Sequence, residues 1–220
     1  MFRRSFRHVL LAVLATAAGL AIVAGTGGGP AGAATVTQAL DCGVGGTQTM
    51  TVIATAPGTV TTGGTYTVQL DSGSGKADGA EIKNMVTTFH APVGSTLVPG
   101  SATLIGTGTG TVGNVTAKIT GTTVSITVPG PIANGATFDP PPLQFQLQAT
   151  GAVGTVLAVK ARQSAAYTLT AAGSFNVSCN AVSPLSSFTS TTIQAAVTTT
   201  TAPTTTASTT TTSRSRVTAR

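Results

Sequence analysis

Tryptophan is absent from this sequence, and aromatic residues make up only 4% of it. Many sugar-binding modules hold their ligands against exposed aromatic rings. A sugar site of that kind would have to use Tyr66 or Tyr167, the two tyrosines of the chain. The scarcity of aromatic rings therefore gives little support to carbohydrate recognition.

Charged residues are also scarce, and they are unevenly distributed. Of the 11 Lys and Arg residues, three lie near the start of the chain and three, Arg214, Arg216 and Arg220, lie near its end. The stretch between them holds as many acidic as basic residues. A neutral body without basic stripes does not attract a phosphate backbone, which argues against nucleic-acid binding.

Residues that could carry catalysis or hold a metal are few. His90 is the one histidine beyond the N-terminal segment, and no Gly-x-Ser-x-Gly motif supplies a partnered serine. The loop Asp71–Glu81 is rich in acids, but their spacing fails the calcium-loop pattern and Lys76 lies among them. We expect that loop to be solvated, and we predict no catalytic, cofactor-binding or metal site and no cofactor.

Only two cysteines occur, Cys42 and Cys179, one near each end of the strand-rich region. In an exported chain two thiols usually form one disulfide. That bond would tie the first strand to the last. A reactive or metal-binding pair is the alternative, although neither cysteine has a histidine or an acidic cluster beside it.

The first 34 residues, Met1–Ala34, have the features of a secretory signal peptide. Three arginines form a basic start, an apolar run covers residues 9–23, and Ala31-Gly32-Ala33 is a small-x-small cleavage motif. The pair Arg3-Arg4 also partly resembles a twin-arginine export signal. An uncleaved membrane anchor is the alternative, but the apolar run is short for a bilayer. We predict no membrane span after cleavage and a secreted or extracellular protein, associated with the cell envelope if it is retained.

The body of the chain consists of short β-rich runs separated by Gly, Pro and Asn. In the clearest run, Leu143, Phe145 and Leu147 alternate with three glutamines, as in a half-buried strand. We predict strands over Thr47–Ala56, Thr65–Leu70, Ile82–His90, Ser101–Ile105, Asn114–Thr120, Thr122–Val128, Leu143–Thr150, Thr155–Gln163, Tyr167–Thr170 and Ser174–Cys179. Their spacing is typical of an all-β sandwich, here over residues 35–195, with Val86 and Val156 among the expected core residues.

The C-terminal part of the chain changes character abruptly. From Thr198 to Thr212, 11 of 15 residues are threonine, with Pro203 in the middle. Such a tract has no apolar face to bury, so we predict a disordered, Thr-rich basic tail over residues 196–220. Anionic cell-envelope polymers, reached through the arginines of this tail, are the one partner that the sequence suggests.

The stretch Ala91–Ala102 resembles a Pro-x-Gly … Gly-Ser-Ala signature of immunoglobulin-like repeat modules in bacterial surface proteins. The strand Thr122–Val128, the Gly-bearing turn Ile132–Ala136 and the strand Leu143–Leu147 then follow in the order of those modules. The cysteine frame also resembles that of single-domain exported actinobacterial proteins of unknown function. The resemblance implies an immunoglobulin-like antiparallel β-sandwich with a structural role.

These observations predict a non-enzymatic, exported β-sandwich that has a structural, display or adhesion role. The alternative is a carrier of a small ligand or lipid in a cavity between the sheets, because the positive mean hydropathy comes with few aromatic residues. An enzyme that depends on His90 is a third hypothesis.

Overall fold

The structure, a computed structural model, describes residues 31–43, 46–77, 81–111, 113–161, 167–171 and 175–196. Most of the predicted signal peptide (residues 1–30) and the predicted tail from residue 197 onward lie outside these ranges. No helix in the described part of the chain is long and apolar enough to cross a membrane.

The described residues form a succession of mostly short β-strands. In chain order they are β1 (Ala31–Asp41), β2 (Thr47–Pro57), β3 (Thr59–Thr61), β4 (Thr65–Asp71), β5 (Gly75–Lys76), β6 (Ile82–His90), β7 (Ser95–Leu97), β8 (Thr103–Leu104), β9 (Thr116–Thr120), β10 (Thr123–Ile132), β11 (Thr137–Phe138), β12 (Leu143–Ala149), β13 (Val156–Leu157), β14 (Lys160–Ala161), β15 (Tyr167–Ala171), β16 (Phe175–Ala181) and β17 (Thr191–Gln194). The all-β expectation is confirmed, whereas the immunoglobulin-like assignment stays a prediction.

The main sheet runs in the order β7-β12-β4-β2-β1-β16-β15-β6-β10-β9, with β8 beside β12 and β14 beside β6. In two smaller sheets β11 pairs with β5, and β17 lies between β13 and β3. Strands β17 and β3 run parallel, whereas β1 pairs antiparallel with both β2 and β16.

The two halves of the main sheet contribute to one core. Val52 and Val68 from the β2 half and Val124 and Val128 from the β10 half are all fully buried. Buried and less buried side chains alternate along β2, β4, β10 and β12, as expected when one face of a strand packs inward.

Several predicted strands are confirmed: β6 has the predicted ends, and the ends of β2, β4, β10 and β12 differ by a few residues. The run predicted over Thr155–Gln163 is instead two short strands, β13 and β14, and its last two residues lie outside the described ranges. The sequence patterns did not indicate β1 or β17. Strand β1 begins at Ala31, inside the predicted signal peptide, and its residues 32–35 have exposed side chains. The domain bounds at residues 34 and 195 stay predictions.

Two expected core residues point away from the core. Val86 is only half-buried, because the register between β6 and β10 shifts between Pro129 and Ile132. Such a β-bulge changes which residues face inward, and here Met85 and Phe89 are buried instead. Val156 is 56% exposed, because its neighbour Leu157 takes the inward position.

Cys42 directly follows β1 and forms a disulfide with Cys179 in β16. Both residues are buried, and the bond lies beside the two register pairs that join these strands, Leu40 with Ala181 and Asp41 with Asn180. The expected pairing is therefore present in the structure. It does not reach the last strand, because β17 follows β16 in the chain.

A buried glutamine adds a second link to the same part of the molecule. The Nε2 of Gln38 donates hydrogen bonds to the carbonyl oxygens of Ala39 (3.0 Å) and Val182 (2.7 Å). Its Oε1 accepts one from the backbone N–H of Ser186 at 2.6 Å. Gln38 is 2% exposed, so water cannot replace these partners. The side chain therefore fixes the segment after β16 against β1.

We expect Cys179→Ser to lower the free energy of unfolding by about 2 to 5 kcal/mol, because the unfolded chain regains the freedom of a very long loop. Denaturant unfolding of the purified protein measures this change. Cys42→Ser should have the same effect, and the double variant should add nothing. Free thiols in the native protein would contradict the disulfide.

We expect Gln38→Ala to lower the free energy of unfolding by about 1 to 3 kcal/mol, because it leaves buried backbone groups without hydrogen bonds. Gln146→Ala is the matched control, since that side chain is exposed on β12. The control should stay within about 0.5 kcal/mol of the parent protein. Equal losses in the two variants would show that the contacts of Gln38 contribute nothing.

Candidate functional site

Strand β2 has a stretch of backbone without a neighbouring strand. It pairs with β1 along its whole length but with β4 only from Ile53 to Thr55. On the other side of β1, the carbonyl oxygen of Ala39 accepts a hydrogen bond from Val182. Backbone N–H and C=O groups alternate sides along a strand. The backbone groups of the even-numbered residues of β1 and β2 therefore point toward each other. Thr49 and Thr51 therefore face the β4 side, where no described strand pairs with them; we call these two residues the open edge.

The open edge exists because β4 ends early. The Oδ1 of Asp71 accepts a hydrogen bond from the N–H of Gly73 at 2.8 Å, a turn typical of Asp and Asn. Gly73 has a φ of 63°, a conformation that favours glycine. This turn takes the chain out of the sheet after Asp71. A longer β4 would lie beside Thr49 and Thr51; because β4 ends at Asp71, these two residues have no neighbouring strand on that side.

A cavity of about 60 Å³ lies beside the open edge. Thr49 and Thr51 line one side of it, and Ser72 and Gly73 line another. The apolar residues of the lining come from both halves of the main sheet and from β11: Leu40, Met50, Met85 and Phe138. Pockets for drug-sized ligands have volumes of about 300 to 1,000 Å³. This cavity suits a guest the size of a small aliphatic side chain.

The short β5–β11 pair covers the cavity. A Cβ atom on Gly75 would lie 2.8 Å from the Cζ of Phe138, so a larger residue there would have to displace the buried Phe138 ring. Ala77 is fully buried, and its N–H donates to the carbonyl oxygen of Ala136 at 2.9 Å. The expectation of a solvated loop over Asp71–Glu81 is therefore wrong for Gly75 and Ala77, which are buried, whereas Lys76 is exposed. Asp78 lies outside the described residues.

Two carboxylates lie at the rim of the cavity. Asp71 directly precedes Ser72, and Asp139 lies between Phe138 and Pro140, both of which line the cavity. Burial raises the pKa of Asp139, and the nearby Asp71 carboxylate raises the same pKa further. Lys76, in register with Thr137 of β11, has an exposed side chain. The rim therefore favours a positively charged partner.

The other residues considered from the sequence do not join this site. His90 ends β6, in register with Thr123 and Lys160, and is not part of the cavity lining. Tyr66 is a core residue whose phenol pKa is raised by burial, and it offers no exposed ring for sugar binding. The side chain of Tyr167 lies outside the described residues. Within the described ranges, no three His, Cys, Asp or Glu residues group so as to hold a metal.

Sequence reasoning missed the open edge. Thr49 and Thr51 look like ordinary outward positions of an alternating strand, and nothing in their own segment tells which strand lies beside them. One available signal was the motif Asp71-Ser72-Gly73, which is typical of a turn that ends a strand. Comparing the predicted lengths of β2 and β4 with that signal would have indicated an unpaired end.

No protein-family model matches the chain, and no curated protein matches it. Among solved structures, it is distantly similar to the collagen-binding domain of a Staphylococcus aureus adhesin, with 11% identity and a TM-score of 0.34 over 58% of this chain and 87% of that one. A cohesin module of a Clostridium perfringens family 33 glycoside hydrolase has 12% identity and a TM-score of 0.36 over 66% of this chain and 96% of that one. The collagen-binding domain of an Erysipelothrix rhusiopathiae surface protein has 15% identity and a TM-score of 0.37 over 75% of this chain and 57% of that one. These are distant matches to bacterial surface β-sandwich domains.

We expect Asp71→Asn to lower the pKa of Asp139, because it removes the neighbouring negative charge that disfavours ionisation. That pKa should stay above its ordinary value, since burial is its larger cause. Carboxyl titration followed by NMR measures the change. Asp41→Asn is the control and should leave the pKa of Asp139 unchanged. An unaltered value in Asp71→Asn would show that the two carboxylates do not interact.

Proposed function

We propose that the protein is an exported, non-enzymatic β-sandwich that works in display or adhesion at the cell envelope. Its binding site would be the open edge of β2 together with the adjoining cavity. This proposal rests on one observation: the unpaired edge of β2 lies beside a cavity with an apolar lining. Open strand edges bind extended peptides through main-chain hydrogen bonds, and pockets beside them select side chains.

The chemistry of the lining supports binding over catalysis. None of the described residues that line the cavity is titratable, and Ser72 has no histidine or lysine beside it there. A serine nucleophile needs an adjacent base. The carboxylates at the rim, Asp71 and Asp139, lie without a histidine among the cavity residues. The site therefore offers hydrogen bonds, an apolar surface and negative charge, which are the means of a binding module.

The carrier hypothesis would require a larger cavity than this one. A cavity of about 60 Å³ cannot enclose a lipid. Engineered cavities of about 150 Å³ hold a single benzene molecule. A side chain of a bound peptide fits this space better than a free ligand does.

Export is supported by the N-terminal sequence and by the cysteines. The basic start, apolar run and small-x-small motif are those of a signal peptide. A buried disulfide between Cys42 and Cys179 fits an oxidising compartment. The Thr-rich basic tail would then lie outside the cell, where its arginines meet anionic polymers.

We expect Ser72→Lys to reduce binding of the purified protein to cell-envelope fractions of the producing organism at least tenfold. The long charged side chain would stand at the rim of the cavity and block access to the open edge. Thr65→Lys is the matched control, because it adds the same charge to an exposed position at the other end of β4. Sedimentation of labelled protein with the fractions measures binding. Equal binding of the two variants would remove the cavity from the proposed function.

A further inference from the structure

We infer that the open edge binds the chain's own C-terminal segment, Arg216–Arg220. The segment would lie as a short extended strand beside Thr49 and Thr51, in the position that β4 leaves after Asp71. This inference rests on the binding role proposed for the site and names its resident partner. Three observations support it: the side-chain pattern of the segment, its charges, and the length of the chain that connects it to β17.

The side-chain pattern of the segment fits the site. In Arg216-Val217-Thr218-Ala219-Arg220, two small apolar residues alternate with three polar ones. In an extended strand, Val217 and Ala219 would point to one face and the arginines to the other. An inward Val217 would face the lining that includes Met50, Met85 and Phe138. A valine side chain is of the size that a cavity of about 60 Å³ accepts.

The charges select this segment from the rest of the tail. The tract Thr198–Thr212 has no charged residue, whereas Arg216 and Arg220 flank the apolar pair. Asp71 ends β4, in line with the position that the segment would take, and Asp139 raises the negative charge of the same rim. Exposed ion pairs add little binding energy, but opposite charges fix the register of one strand beside another.

The tail is long enough to reach the open edge. Strand β17 runs parallel to β3, and Gln194 lies in register with Thr61. Ten residues of β2 and β3 separate Thr61 from Thr51, a distance of at most about 35 Å. An extended chain over residues 197–215 would cover roughly 60 Å. Because the segment belongs to the same chain, its binding to the open edge is intramolecular and raises its effective concentration there, so the chain's own segment has an advantage over free partners.

Covering the open edge would also remove a hazard. Unpaired strand edges invite pairing with other chains, and proteins commonly protect them with charges, prolines or covering segments. Thr49 and Thr51 carry neither charge nor proline. The C-terminal segment would supply the cover, and any external peptide would have to displace it before binding.

Amide hydrogen exchange of the full exported chain tests this inference. We expect the N–H groups of Thr49 and Thr51 to exchange at least tenfold more slowly in the parent protein than in Val217→Asp, which places a charge against the apolar lining. Thr206→Asp is the matched control, because it adds the same charge to the Thr tract, and it should exchange like the parent. The N–H of Thr55 faces β4 and serves as the internal reference in all three proteins.

Equal exchange rates of Thr49 and Thr51 in the parent and in Val217→Asp would overturn the inference. So would a loss of protection in Thr206→Asp. Protection that rises with protein concentration would assign the site to the tail of a second copy and would overturn docking within one chain. If tail docking fails while Ser72→Lys still reduces envelope binding at least tenfold, the proposed function stands without this partner.

Discussion

The covalent bond between Cys42 and Cys179 is the constraint on which the rest of this structure depends. The two halves of the main sheet are joined where β1 meets β16, and only two register pairs connect those strands. So short a ladder adds little by itself. The disulfide and the hydrogen bonds of Gln38 hold the junction, and the junction sets how the β2 half faces the β6 half. Met50 and Met85 come from opposite halves, so the cavity lies between the two halves that this junction joins.

Within that frame, the candidate site results from a mismatch in strand length. Strand β2 is 11 residues long and β4 is 7, and the turn at Gly73 ends β4 before β2 is covered. The short β5–β11 pair packs over the gap without pairing with β2. Backbone groups at the exposed edge can hydrogen-bond to water, but the apolar atoms that line an unfilled cavity lose their packing contacts, and this has a cost. That cost is the physical reason to regard this place as a site.

The sequence predicted what local patterns can encode. Alternation places Leu143, Phe145 and Leu147 on the buried face of β12, as expected, because the period of a strand is a property of the segment itself. Prediction from the sequence failed where the burial of a residue depends on the strand or loop packed beside it. Val86 turned outward because of a bulge against β10. The loop after β4 is buried at Gly75, which lies against Phe138, and at Ala77, which donates a hydrogen bond to Ala136. The open edge belongs to this second kind, since strand order is decided by the whole chain.

The two roles assigned to the tail compete for the same side chains. Arg216 and Arg220 cannot pair with the carboxylates at the cavity rim and with anionic envelope polymers at once. Envelope anions would therefore draw the segment off the open edge, and a segment held at the edge would have less charge to offer the envelope. Both attractions are electrostatic and weaken with salt, but only docking at the edge also uses main-chain hydrogen bonds and the contact of Val217. Added salt should therefore weaken the contact of the tail with the envelope more than it weakens docking at the open edge. Because the two contacts compete for the same arginines, binding to the envelope would expose the open edge, and detachment would let the segment cover it again.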